Sequence, residues 1–212
     1  MKIFLRILIV AIVALAVHVD FKRYSYKSSN ESDVIVESHE DRFQSVSFPL
    51  RRSPSVGSYW MYNPDIKICG DSGAREFRVR QALGFWERLG YEFGSVEFQR
   101  ECIGEPASGV ITIALVTSDI QIGSHLAVTR TFSYTSTREI LKSVIYVMPF
   151  NANRELLLEH EIGHALGWDH YSLSYHVMHP DYARIGHNTR GLRHHDYLSR
   201  SLELARSLRD NE

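Results

Sequence analysis

The eleven residues His160-Glu161-Ile162-Gly163-His164-Ala165-Leu166-Gly167-Trp168-Asp169-His170 constrain this chain more than any other stretch. His160 and His164 stand one helical turn apart, so on a helix both imidazoles lie on one side and can share a metal ion. Glu161 projects beside them, where it can reach a water on that ion without ligating it. A helix that simply continued would carry His170 away from the first pair. The chain therefore has to turn, and Gly167 accepts the positive φ that ends a helix there. His160, His164 and His170 thus describe one catalytic Zn2+ with an open fourth position, and Glu161 is the candidate general base. A bare His-Glu-x-x-His is expected by chance about 0.04 times in a chain of this composition, and requiring Gly167 and His170 lowers that to the order of 10⁻⁴.

Hydrophobic periodicity around this stretch predicts a single α+β domain over 56–212. A helix over 72–89 has Ser72 as its cap, Val79, Ala82, Leu83 and Trp86 on one face, and Gly90 as its stop. Strands are expected over 91–102, 109–116, 125–134 and 142–150, with a further one within 59–68. Leu156, Leu157, Ile162 and Leu166 give the metal-bearing helix, over 153–168, an apolar stripe. A last helix over 193–209 is expected to close the core with Leu198, Leu202, Ala205 and Leu208. His18, His39, His187, His194 and His195 read as ordinary surface or core histidines. His176 and His179, with His194 and His195 again, lie close enough in sequence to line the metal site, with plain surface positions as the equal alternative.

The chain begins Met1-Lys2, carries a single Arg6, and then runs through eleven unbroken apolar residues over 7–17. That is short for a bilayer span and has the form of an export signal with Ala14-Leu15-Ala16 as its cleavage site, or of an uncleaved signal-anchor, over 1–23. Residues 24–55, rich in Ser, Glu and Asp, read as a flexible stalk or short pro-segment. The expectation is an exported protein, secreted or membrane-anchored, with its catalytic domain outside the cytoplasm. In such a chain Cys69 and Cys102 are expected to form a disulfide. With 24 Lys+Arg against 25 Asp+Glu the chain has no basic excess, which excludes a nucleic-acid binder working by phosphate neutralisation.

The stretch from His160 to His170 resembles the extended zinc signature of the metzincin metallopeptidases. His176-Val177-Met178-His179-Pro180 is similar to the Met-turn of that clan, with Met178 as its methionine. The order of elements over 56–208 looks like the matrixin branch. The resemblance implies a twisted mixed β-sheet with an active-site helix and a C-terminal helix. It also implies a zinc endopeptidase, a monomer, acting on an extended peptide or protein substrate. Leu126-Ala127 resembles the start of the edge-strand motif lining the substrate cleft, and Tyr182 is a candidate substrate contact. Cys69-Gly70 faintly resembles the Cys-Gly pair of a matrixin latency switch, which makes a zinc-blocking Cys69 thiolate the rival to the disulfide. The chain departs from the family at Tyr171, at Pro180 where several members carry Tyr, and at Val128-Thr129 where a structural zinc would need His. A second zinc is therefore not expected, and calcium is not expected either, because the sequence has no Asp/Gly-rich loop to carry over the family's calcium sites.

Two other functions use the same residues. One is a zinc amidase acting on a non-protein amide such as peptidoglycan. The other is a non-catalytic zinc-dependent binding domain, against which the presence of Glu161 counts.

Overall fold

In the computed structural model, which describes residues 34–40, 53–102, 105–116 and 126–210, the runs of Val, Ile and Thr become the strands of one six-stranded mixed sheet. The elements are β1 Val34–Glu40, β2 Asp65–Cys69, α1 Glu76–Glu87, β3 Val96–Gln99, β4 Val110–Leu115, β5 Ala127–Tyr134, β6 Ile140–Val147, α2 Leu157–Ala165 and α3 His194–Arg209. Spatial order is β1-β5-β6-β4-β2-β3. β4 pairs in parallel with β6 and β2, and β2 with β3, while β5 is antiparallel to both β6 and β1. The α+β class and the mixed sheet are as expected.

Helix α1 buries Val79, Ala82, Leu83 and Trp86, the face its spacing predicts. It starts later than expected, because Ser72 caps a tight turn instead. Its hydroxyl donates to the Cys69 carbonyl at 2.6 Å and accepts from the Ala74 amide at 3.2 Å. α1 packs on α2, where the Trp86 indole donates to the Glu159 carbonyl at 2.9 Å and Arg78 forms an ion pair with Glu159. α2 is shorter than 153–168. Residues 151–154 turn the chain back from β6, with the amides of Asn151 and Ala152 both on the Met148 carbonyl, and Leu156 sits in the left-handed region at φ 59°.

Three expectations need correction. Leu198 and Leu202 are 49% and 58% exposed, and α3 instead buries Tyr197 and Ser201. The Tyr197 hydroxyl accepts from the Trp60 amide at 2.8 Å and its ring meets Trp168 and Tyr91, so an aromatic contact with a hydrogen bond sets the helix's rotation. Second, residues 34–40, expected within a stalk, form β1, and the compact unit begins at Val34. Third, β5 is not an open edge, because β1 covers it from Tyr134 to Val128. Signal or anchor residues 1–23, stalk residues 24–33 and 41–52, and His125 lie outside the described residues. Among the described residues no helix is long and apolar enough to cross a membrane.

A disulfide joins Cys69 at the end of β2 to Cys102 beyond β3, with a Cα–Cα distance of 5.5 Å. It overturns the alternative of a Cys69 thiolate on the metal. The 33-residue separation implies that replacing both cysteines by Ala costs about 2–4 kcal/mol in urea unfolding while leaving metal content unchanged.

Candidate metal centre

All nine residues of α2 are buried, including Glu159, His160, Glu161 and His164. Each polar group on such a helix needs a partner. His160 Nδ1 lies 2.6 Å from the Val177 carbonyl and His164 Nδ1 lies 2.7 Å from the Trp168 carbonyl. A carbonyl only accepts, so both Nδ1 atoms carry the proton, and the neutral rings present lone pairs at Nε2. His164 is close to both others, its Nε2 lying 2.9 Å from His160 Nε2 and 3.1 Å from His170 Nε2. Lone pairs facing one another at that distance repel, and a cation among them turns the repulsion into three bonds. The donor set therefore fits a metal of the imidazole-preferring kind.

Burial is the main reason the His164 imidazole sits well below its usual pKa, with the neighbouring His39, His170 and His160 rings lowering it further against the Trp168 carbonyl. It is thus held in the neutral, ligating form. Gly167, at φ 101°, makes the turn toward His170. A Cβ there would stand 1.9 Å from the Ser58 carbonyl oxygen, so no other residue fits without moving that backbone.

Glu161 is fully buried, and the Thr129 hydroxyl donates to its Oε2. Thr129 comes from β5, so the sheet orients this carboxylate. Met178 is also fully buried. A Cβ on Gly163 would stand 2.3 Å from its sulfur and 2.9 Å from Trp86, which locates the thioether directly against the turn of α2 between His160 and His164. The Met178 amide donates to His176 Nδ1 at 3.1 Å, and His176 Nε2 donates to the Arg190 carbonyl at 3.2 Å. Both nitrogens of His176 are thus used to hold the loop under α2.

His39, expected to be an ordinary histidine, belongs to this centre. Its ring stacks on His164 with centroids 4.3 Å apart and planes 5° apart. His39, His164 and His170 offer nitrogens that all lie within 4.8 Å of one another, a group that could hold a metal ion and that differs from the expected set by having His39 in the place of His160. Leu126 and Ala127, expected to line a cleft, have their side chains in the core, and the Leu126 carbonyl accepts from the Asn151 amide group at 3.4 Å. The Tyr182 hydroxyl donates to the Glu155 carbonyl at 2.7 Å. Sequence reading missed Thr129 as well as His39. For the strand that carries His39 a signal existed, because Val34-Ile35-Val36 is a β-branched run, though nothing in it pointed to His39 itself. For Thr129 none did, since its partner lies 32 residues away.

Because Gly163 has no room for a methyl, Gly163→Ala should lower stability by about 1–3 kcal/mol in urea unfolding and weaken metal binding with it. Burial pushes the His176 imidazole down to about 4. An unfolded histidine titrates near 6.5, so the unfolded chain binds the extra proton between those values. The His176 contribution is then complete above about pH 6.5 and is lost as pH falls toward 4, at up to about 1.4 kcal/mol per pH unit. Urea midpoints of the metal-free chain at two pH values, compared with those of His176→Phe, should show that slope and its loss. A scan against protein-family models finds no match to this chain, and a search of curated proteins likewise finds none.

Proposed function

We propose that the chain is an exported, monomeric zinc-dependent endopeptidase of the metzincin type, acting on extended peptide or protein substrates. The observation that carries this reading is the close approach of His160 Nε2 and of His170 Nε2 to His164 Nε2, at the helix that also buries Glu161. His160, His164 and His170 would hold the ion. When bound, Zn2+ supplies Lewis acidity, bringing the pKa of a water to about 7 and polarising a carbonyl.

The chain's own residues do the rest. Glu161 takes a proton from the attacking water at its carboxylate and passes one to the leaving amine nitrogen. The Thr129 hydroxyl on Oε2 restrains the carboxylate from which it would do so. The Val177 and Trp168 carbonyls hold the two helical imidazoles in one tautomer, which keeps their ligating atoms aimed together. A peptide substrate would gain affinity without much sequence choice by pairing its main chain with the β5 edge, in the place that β1 fills in this structure. The Cys69–Cys102 disulfide and the N-terminal apolar run over 7–17 support export, by cleaved signal or signal-anchor.

Purified chain should contain one zinc, lose peptide hydrolysis to a chelator and regain it with Zn2+. Glu161→Gln should keep the zinc and lose about 10²–10⁴-fold in turnover. His164→Ala should lose metal and activity together. A Gln variant with most of its hydrolytic rate would remove Glu161 as the base, and zinc retained without hydrolysis of any peptide would favour a binding domain. Digestion of cell-wall material in place of a peptide library would favour the amidase.

A further inference from the structure

The strand β1 lies where an extended peptide would lie. It runs antiparallel to β5 over seven pairs, from Val34 opposite Tyr134 to Glu40 opposite Val128. Alternation along a strand puts Ile35, Glu37 and His39 on the same face as their partners Ser133, Thr131 and Thr129. That face of β5 packs on α2, for Thr129 bonds to Glu161 and the Thr131 hydroxyl approaches the His164 carbonyl at 3.5 Å. Whatever residue stands opposite Thr129 is therefore delivered to the metal-bearing helix. Here it is His39, whose ring plane lies within 5° of that of His164, whose centroid stands 6.2 Å from that of His170, and whose nitrogens come within 4.8 Å of nitrogens on both. One residue pair back, Glu37 forms an ion pair with Arg138, whose Nε also donates to the Gly57 carbonyl at 2.9 Å. The strand is thus pinned beside the centre as well as along the sheet.

We propose that His39 is a fourth ligand of the metal centre and that β1 occupies the β5 edge that a peptide substrate would use, so that the chain folds into a closed, self-blocked state. This rests on the metallopeptidase reading above. Three imidazoles leave a metal with a position for water, whereas four close it in the manner of a structural site. Turnover then requires His39 to leave the metal and β1 to leave β5, both at once, because ligand and strand are the same segment. An occupant carried on the same chain competes at high effective concentration with any peptide in solution.

The full-length chain loaded with Co2+ in place of zinc tests this without relying on activity. Its absorption spectrum should be unmoved by azide in the wild type and shifted by azide in His39→Ala, with one Co2+ per chain in each. Peptide hydrolysis should rise roughly tenfold or more in that variant, as expected when a large closed population is opened. Ser38→Ala, on the outer face of β1, should behave as wild type. Should His39→Ala fail to fold, amide hydrogen exchange on the wild type decides, because metal loading should slow exchange across 34–40 by about tenfold or more. Equal azide response in wild type and variant, or exchange in 34–40 indifferent to metal, would overturn the assignment of His39 while leaving the three-histidine centre intact. Failure of either chain to take up Co2+ would overturn both readings together.

Discussion

A helix with every residue buried has to satisfy polar side chains without water, and in α2 that requirement organises everything around it. His160 and His164 direct one nitrogen each to a backbone carbonyl, and those carbonyls belong to Val177 and Trp168, on two different turns of the chain that follows. The turn after α2 and the loop carrying Met178 are thus tied to the helix by the same side chains whose other nitrogens converge. Glu159, on the opposite flank, is taken by Arg78 from α1, and its carbonyl by the Trp86 indole. Remove any of these partners and a polar group is stranded in the core, at about 1–3 kcal/mol or more. Fold stability and site geometry are, in this helix, one set of contacts.

The parts of this arrangement that were legible in the sequence are those governed by local spacing. The i, i+4 histidines, the positive φ at Gly167, and the α1 face of Val79, Ala82, Leu83 and Trp86 depend on residues within a turn or two of one another. The parts that were not depend on partners far along the chain. Leu198 and Leu202 form as good a stripe as Tyr197 and Ser201, and periodicity could not tell that Trp60 would offer its amide to the Tyr197 hydroxyl. Residues 34–40 sit in a polar, charged neighbourhood that hid a strand whose partner is nearly a hundred positions away, in keeping with how strongly β pairing depends on context. His39 went unrecognised for the same reason. Its role follows from register, and register cannot be read before the pairing is known.

The sheet makes the same point from its edge. With β1 absent, β5 would present a row of unpaired amides and carbonyls lined by Thr129, Thr131 and Ser133, a surface that invites any extended chain to add itself. A fold with such an edge has to cover it. Here the cover is a strand from the chain's own N-terminal side, and its alternation turns Val36 and Ser38 outward and Glu37 and His39 inward.

That inward pair separates two jobs. Glu37 meets Arg138, a residue at φ 61° in the turn joining β5 to β6, so this contact fixes the strand to the sheet's own hairpin. His39 meets His164, a residue of the helix beneath. The first contact is between partly exposed charges and is worth about 0–1 kcal/mol. It favours one register without locking it. On the proposal that His39 joins the metal ligands, the second contact would draw its strength from the shared ion, and the firmness of the cover would be coupled to metal occupancy. A strand attached mainly by main-chain pairing and one surface ion pair can be peeled from an edge; one that also ligates the metal can leave only when another donor takes its place. Water or a substrate carbonyl is the donor that the open three-histidine centre would accept. On that proposal, closing the edge and closing the coordination sphere would be the same event, and Thr129, bonded to Glu161 on one side and paired with His39 on the other, stands where the two would meet.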